Sequence, residues 1–161
     1  MTHYFDTFST PFGPFSVAID ATGALVGTAF GDDTSLRTRL PEYQVMRDTR
    51  RTAVARRQIG EYFAGRRIHF DLTLAPQGTS FQHQVWQALQ RIPHGHTTSY
   101  GALAKKLNRP GAARAVGRAN ATNPICLIVP CHCVIGANGS LTGFAFGEEI
   151  KRRLLEFEGA I

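Results

Sequence analysis

Up to Leu74 the apolar residues of this chain gather in short runs broken by turn residues, whereas past Pro76-Gln77-Gly78 they recur at helical spacing. That change of period constrains the fold more than any other feature. A strand buries alternate residues and a helix buries a stripe of period 3.6, so the two stretches build different layers. The first reads as strands over His3–Phe8, Phe15–Ile19 and Ala24–Phe30, joined by turns at Thr10–Pro14 and Ala21–Gly23, an antiparallel meander. Residues 31–50 read as polar and irregular. Ala55, Ile59, Tyr62 and Phe63 then make the stripe of a helix that Ala64-Gly65 ends, and a strand over Ile68–Leu74 is expected to complete a small α/β layer. A chain of 161 residues suits two small domains, 1–77 and 78–161. With 43% hydrophobic and 19% charged residues it is no disordered chain.

In the second stretch Thr79 and Gln82 fit a capping box, and Phe81, Val85, Leu89 and Ile92 keep helical spacing until Pro93. Trp86 belongs to this core. Tyr100, Leu103, Ala104 and Leu107 predict a short second helix with Ser99 as its N-cap, broken at Asn108–Gly111. A third helix follows over Ala112–Ala121, which makes the pair a helix-turn-helix candidate. The third helix is almost all Ala, Gly and Asn between Arg114 and Arg118, and Gly117 inside it costs about 1 kcal/mol relative to Ala. Small residues let a helix come close to something: a neighbouring helix, with snorkelling arginines, or nucleic acid. A last helix is expected over Ile150–Phe157, with Ile150, Leu154 and Phe157 inward and Lys151, Arg152 and Arg153 in solvent.

Charge favours the nucleic acid. Residues 81–161 carry nine Lys/Arg against four Asp/Glu, and no acid lies between Asp71 and Glu148. A polyanion could lie along such a surface without meeting a repelling carboxylate. No apolar run approaches the roughly 18 residues a membrane helix needs, and the start shows no basic leader or apolar segment for export, so a cytoplasmic protein is expected.

All three cysteines, Cys126, Cys131 and Cys133, fall within eight residues. That clustering and the odd count argue against a disulfide scaffold. An apolar, strand-like run leads to Pro130, after which Cys131 and His132 stand side by side. A thiol is nucleophilic as thiolate, which a nearby imidazole favours. In extended chain neighbouring side chains diverge, so the two need a sharp turn or a bridging water. Glu148, Glu149, Glu156 and Glu158 are the nearest acids to orient the imidazole. Cys126, Cys131, His132 and Cys133, with His94 or His96, also offer metal-donor types, but Cys-His-Cys is cramped for a tetrahedral cage and no metal is expected. Cys126 reads as core.

The run Pro130-Cys131-His132-Cys133-Val134-Ile135-Gly136, preceded by Ser99–Ala104, Ala112–Gly117 and Asn123-Pro124, resembles the O6-alkylguanine-DNA alkyltransferase family over about Thr79–Glu158. The resemblance implies a small N-terminal antiparallel-sheet α/β (RNase H-like) domain, then a mainly helical, DNA-binding, alkyl-acceptor domain with a helix-turn-helix. It implies direct reversal of damage: a single-turnover transfer of the alkyl group from O6-alkylguanine, and as a further candidate O4-alkylthymine, to Cys131. The implied partner is double-stranded DNA, bound through its minor groove with the damaged base rotated out. No cofactor is implied, and the protein would act as a monomer or cooperatively along DNA. His132, acting through water, and Glu158 match the residues behind the nucleophile. Tyr100 matches the tyrosine that helps rotate the nucleotide and donates toward guanine N3, and Asn123 the asparagine that orders the active-site turn. Arg114 matches the arginine that fills the vacated stack, with Ala112, Ala115, Arg118 and Ala119 along the same DNA-facing helix. Val134, Phe144, Ala145 and Phe146 match the substrate pocket.

The chain departs from the family pattern at Cys133, where Arg is usual, and at Phe146, where a glycine is usual; the latter predicts a pocket favouring methyl over benzyl groups. No cysteine precedes Cys126, so the zinc site of human-type members has no match. Two other classes remain: a relative that binds alkylated bases without transfer, and a papain-like hydrolase. The second has Cys and His but no local signature and no use for a basic helix-turn-helix.

Overall fold

The computed structural model describes residues 2–40 and 44–161, which form two compact units divided between Gln77 and Gly78. In the first unit β1 (Thr2–Thr10), β2 (Gly13–Ile19) and β3 (Leu25–Phe30) make the expected antiparallel meander. Both alternating sets of β2, Phe15, Val17 and Ile19 on one side and Ser16 and Ala18 on the other, are buried, so the central strand is covered on both faces. Gly27 in β3 is a close approach, since a Cβ there would sit 2.5 Å from Leu40 Cδ1.

Residues 31–40 and 44–50 are more ordered than their polarity suggests. They hold α1 (Asp33–Arg39), capped by the Asp32 carboxylate, and β4 (Gln44–Arg47), an edge strand parallel to β1; residues 41–43 lie outside the described set. The buried Asp6 carboxylate takes Arg47 at 3.3 Å and Arg56 at 3.0 Å. Helix α2 (Ala53–Phe63) buries Ala55, Ile59, Tyr62 and Phe63 and is followed by Gly65 at φ 77°. The strand expected over Ile68–Leu74 does not form, apart from a single bridge between Leu74 and Leu25. The buried side chain of Gln58 replaces a strand partner, donating to Asp71 O at 3.1 Å and accepting from Asp71 N at 2.9 Å.

The second unit begins with α3 (Ser80–Gln90), whose Thr79–Gln82 capping box is present in both directions. Trp86 is buried and donates from Nε1 to Ala119 O at 2.8 Å. After β5 (Thr98–Ser99), Ser99 Oγ caps α4 (Tyr100–Lys106), and a turn leads into α5 (Ala113–Ala121). The turn is a Schellman motif: Asn108 sits at φ 59°, its N–H reaches Lys105 O, and Arg109 N reaches Ala104 O. Asn is one of the few residues besides Gly that tolerate that conformation. A short 3-10 turn over Cys131–Cys133, β6 (Val134–Ile135) paired in parallel with β5, and α6 (Glu148–Phe157) complete the unit. No helix among the described residues is long and apolar enough to cross a membrane.

The inward face of α6 differs from expectation. Phe157 is 43% exposed, whereas Lys151, expected in solvent, is fully buried with Leu154 and Leu155. The lysine can be buried because its ammonium finds two backbone acceptors, Val134 O and Thr142 O.

Candidate active site

The run before Pro130 is not a strand. Val129 N bonds back to Ile125 O at 3.0 Å, closing a turn in which Leu127 holds φ 76°. A bulky residue in the left-handed region persists only where its surroundings over-determine it. Here Asn123 does so: its Nδ2 donates to Val129 O at 2.9 Å and its Oδ1 accepts from Ile125 N at 3.0 Å. Asn120, which the sequence did not single out, adds a second tie by donating to Cys131 O at 3.1 Å.

Because Cys131–Cys133 is a 3-10 turn, the chain bends sharply at the point where an extended run would send neighbouring side chains apart. Cys131, His132 and Cys133 are all buried. His132 Nε2 lies 3.0 Å from both carboxylate oxygens of Glu158, which comes in from the end of α6. Its Nδ1 is buried and has no hydrogen-bond partner among the described residues. With the Nε2 proton held by the carboxylate, Nδ1 is the acceptor nitrogen. Cys133 Sγ donates weakly to Glu158 Oε1 at 3.8 Å. Burial, then the Glu158 charge, pushes the Cys133 thiol far up from its ordinary value, so it stays protonated at neutral pH while no cation is bound to it. Cys126 is fully buried.

Lys151 Nζ donates to Val134 O at 2.6 Å and to Thr142 O at 3.2 Å. Burial lowers its pKa, opposed by its attraction to Cys131, Cys133 and Glu148. The ammonium therefore braces the strand after the cysteines, pins the following loop, and favours a thiolate at Cys131. A sequence signal was available: Lys151 shares the helical stripe of Leu154, Leu155 and Glu158.

A cavity of about 550 Å³ opens beside Tyr100, lined by Ala113, Arg114, Gly117, Arg118, Ala121, Thr142 and Gly143. Tyr100 Oη donates to Thr142 O at 3.1 Å. Burial, then the Cys131 charge, raises the Tyr100 pKa, which keeps its proton available for donation. Gly143 is needed twice over, since φ is 89° and a Cβ would fall 2.6 Å from Tyr100 Oη. Arg114 and Arg118 are exposed on the cavity side of α5 and form no ion pair among the described residues.

Of the residues expected to face DNA, Ala112 precedes α5 as its cap residue and Ala115 is half-buried. Ala119 corrects the sequence reading: it is 3% exposed, and its carbonyl takes the Trp86 indole. The helical period turns Val116, Ala119 and Asn120 inward and leaves Arg114, Gly117, Arg118 and Ala121 on the cavity side. Val134, Phe144, Ala145 and Phe146 are not among the cavity's lining residues. Val134 and Phe144 are buried, Ala145 is exposed, and the Phe146 ring packs edge-on to Phe144 with centroids 5.6 Å apart. For a metal, the donor atoms of His132, Cys133 and Glu158 form the one cluster found among the described residues.

Residues 80–160 match the family model described as 6-O-methylguanine DNA methyltransferase, DNA binding domain. The chain is 46% identical to the methylated-DNA–protein-cysteine methyltransferase of Methanosarcina acetivorans, over 98% of its own length and 99% of the relative's. It is 45% identical to the protein of that name from Mycobacterium tuberculosis, over 98% and 93%. The fold matches the crystal structure of Mycobacterium tuberculosis O6-methylguanine methyltransferase with TM-score 0.84 and 40% identity, covering 98% and 93% of the two chains. The structure of Mycobacterium tuberculosis OGT in complex with DNA matches with TM-score 0.83 and 41% identity, covering 99% and 94%.

Proposed function

The chain belongs to the methylated-DNA–protein-cysteine methyltransferase family, and from that premise we infer that Cys131 accepts the alkyl group and that the cavity beside Tyr100 receives the damaged base. The chain is a DNA-binding repair enzyme that works by alkyl transfer. The observation that carries the assignment to Cys131 is the relay behind it. His132 is tied to Glu158 through Nε2 and keeps Nδ1 without a hydrogen-bond partner among the described residues, and Cys131, its neighbour in the same buried turn, is the cysteine that interacts electrostatically with both Tyr100 and Lys151.

The substrate in this reading is O6-alkylguanine in duplex DNA, with O4-alkylthymine as a second candidate. The alkyl carbon is hidden in the stack, so the nucleotide rotates out at a cost of a few kcal/mol. Helix α5 enters the minor groove, where Ala113, Gly117 and Ala121 permit close approach, Arg114 fills the vacated stack and Arg118 meets phosphate. Tyr100 exchanges its bond to Thr142 for one to guanine N3. Cys131 passes its proton toward His132 Nδ1, directly or through one water, and Glu158 stabilises the imidazolium that forms. The thiolate then attacks the alkyl carbon in line; the S–C bond forms as the C–O6 bond breaks, and the electron pair stays on guanine. In net terms an S–H and a C–O bond give an S–C and an N–H bond. A thioether is a poor leaving group, so each molecule reacts once.

Incubation with a duplex oligonucleotide carrying one O6-methylguanine, followed by mass analysis, tests this reading. The expected result is one added methyl on the Cys131 peptide and none in Cys131→Ser. Tight binding without a mass change would leave a lesion-binding protein in its place.

A further inference from the structure

We propose that His132, Cys133 and Glu158 form a binding site for one thiophilic divalent cation of the zinc type, and that its occupancy blocks alkyl transfer. The inhibitory part rests on the functional reading above; the binding part does not.

The three residues supply a nitrogen, a sulfur and a carboxylate oxygen, the donor set such cations prefer. Their ligand atoms lie within 4.8 Å of one another. Two of the separations are already near those of a common ion. Metal–ligand bonds of about 2.0 Å for N and O and 2.3 Å for S place tetrahedral N and O roughly 3.3 Å apart, and S and O roughly 3.5 Å apart. Here His132 Nε2 is 3.0 Å from Glu158 oxygens and Cys133 Sγ is 3.8 Å from Oε1. Charge balances too. A thiolate, a carboxylate and a neutral imidazole carry two negative charges against the cation's two positive ones.

The Cys-His-Cys spacing is cramped as a cage only if the ligands must be consecutive. The fold removes that restriction by bringing Glu158 from 26 residues away between the His132 ring and the Cys133 thiol. An Arg at position 133 would place a cation beside Glu158, whereas Cys133 places a donor there. All three side chains are nearly sealed, with Glu158 retaining 6% exposure, so a bound ion would be held away from bulk water. On binding, the Cys133 thiol proton leaves to solvent and the Nε2 proton of His132 moves to Nδ1. Nδ1 then bears a hydrogen and can no longer accept the proton of Cys131, which leaves the nucleophile without its base.

Cobalt(II) titration of the full-length protein reads the site directly, because thiolate ligation gives a charge-transfer band. One equivalent is expected to bind with that band in the wild type and in Cys131→Ser, while Cys133→Ala loses the band and Glu158→Gln binds about tenfold or more weakly. Cys133→Ala removes one buried sulfur without adding bulk, and Glu158→Gln keeps the shape, so the result does not hang on a single variant folding. No band in the wild type overturns the proposal, as does a band lost in Cys131→Ser or kept in Cys133→Ala. For inhibition, saturating zinc is expected to slow methylation of Cys131 about tenfold or more in the wild type and less than about twofold in Cys133→Ala. Equal slowing in both overturns the inhibitory part. An absence of methylation in metal-free protein would instead sink the functional reading and leave the cobalt result standing.

Discussion

Lys151 Nζ and the carbonyl oxygen of Val134, seventeen residues apart in the chain, meet at 2.6 Å inside the second unit. The same ammonium reaches Thr142 O, which also accepts the Tyr100 hydroxyl, so one buried charge ties the strand after the cysteines to the loop beside the cavity. Lys151→Met keeps the length of the side chain and leaves two carbonyls short of a donor. It is expected to cost about 1–3 kcal/mol in urea unfolding and to slow methyl transfer by lifting a favourable charge from Cys131. The folded pKa of Lys151 lies below its ordinary 10.5. Between the two values the unfolded chain binds more protons, so this group's contribution is fully present above pH 10.5 and is lost as pH falls through the lowered folded value. The stability of wild type relative to Lys151→Met is therefore expected to rise with pH in that window; a flat difference would mean the lysine is not desolvated.

Asn123→Ala removes both ties across the turn at Leu127, leaving the Ile125 N–H and the Val129 carbonyl without their side-chain partner. A loss of about 1–3 kcal/mol is expected, chiefly from the buried Ile125 N–H, since Val129 O still accepts from Cys131 N at 2.7 Å. The rate of Cys131 alkylation by iodoacetamide is expected to change with it, and an unaltered rate would show that the turn holds without the asparagine.

Arg114→Ala is expected to impair repair of duplex DNA far more than dealkylation of a free modified base. The proposed task of Arg114 is to occupy the vacated stack, which a free base does not have. Equal loss on both substrates would place its role in the chemistry instead.

Gly117→Ala separates stability from function. A Cβ there meets only the Tyr100 ring, at 3.7 Å, so the substitution fits and is expected to gain about 0.8–1 kcal/mol of helix stability. The added methyl projects beside the cavity, and duplex affinity is expected to fall. Unchanged affinity would mean that α5 does not approach DNA at Gly117.

Phe146→Gly frees the Phe144 ring from its edge-on neighbour and is expected to speed reaction with benzyl relative to methyl substrates. An unchanged ratio would remove Phe144 and Phe146 from the wall around the alkyl group.

Much of the second unit was legible residue by residue. The Thr79 and Ser99 caps and the break at Asn108 all follow from side chains within a few positions of the backbone groups they serve, and the burial of Trp86 follows from its place on the helical stripe. The same local reading failed where a distant side chain replaced a regular partner. Gln58 takes the place of a strand beside Asp71, and Asn123 turns an apolar run that reads as extended into a tight turn. Ala119 and Lys151 were misplaced because small residues and long amphipathic ones carry a weak facing signal.

The sequence by itself determined the helices, their caps and breaks, the acid-free basic stretch and the juxtaposition of Cys131 with His132, since each depends on interactions spanning about one helical turn or on composition alone. Only the tertiary structure decided that Glu158 reaches both His132 and Cys133, that Lys151 turns inward, and that Tyr100 faces the same cavity as Arg114 and Gly143. Those relations join segments far apart in the chain, and local spacing carries no information about the distance at which packing finally sets them.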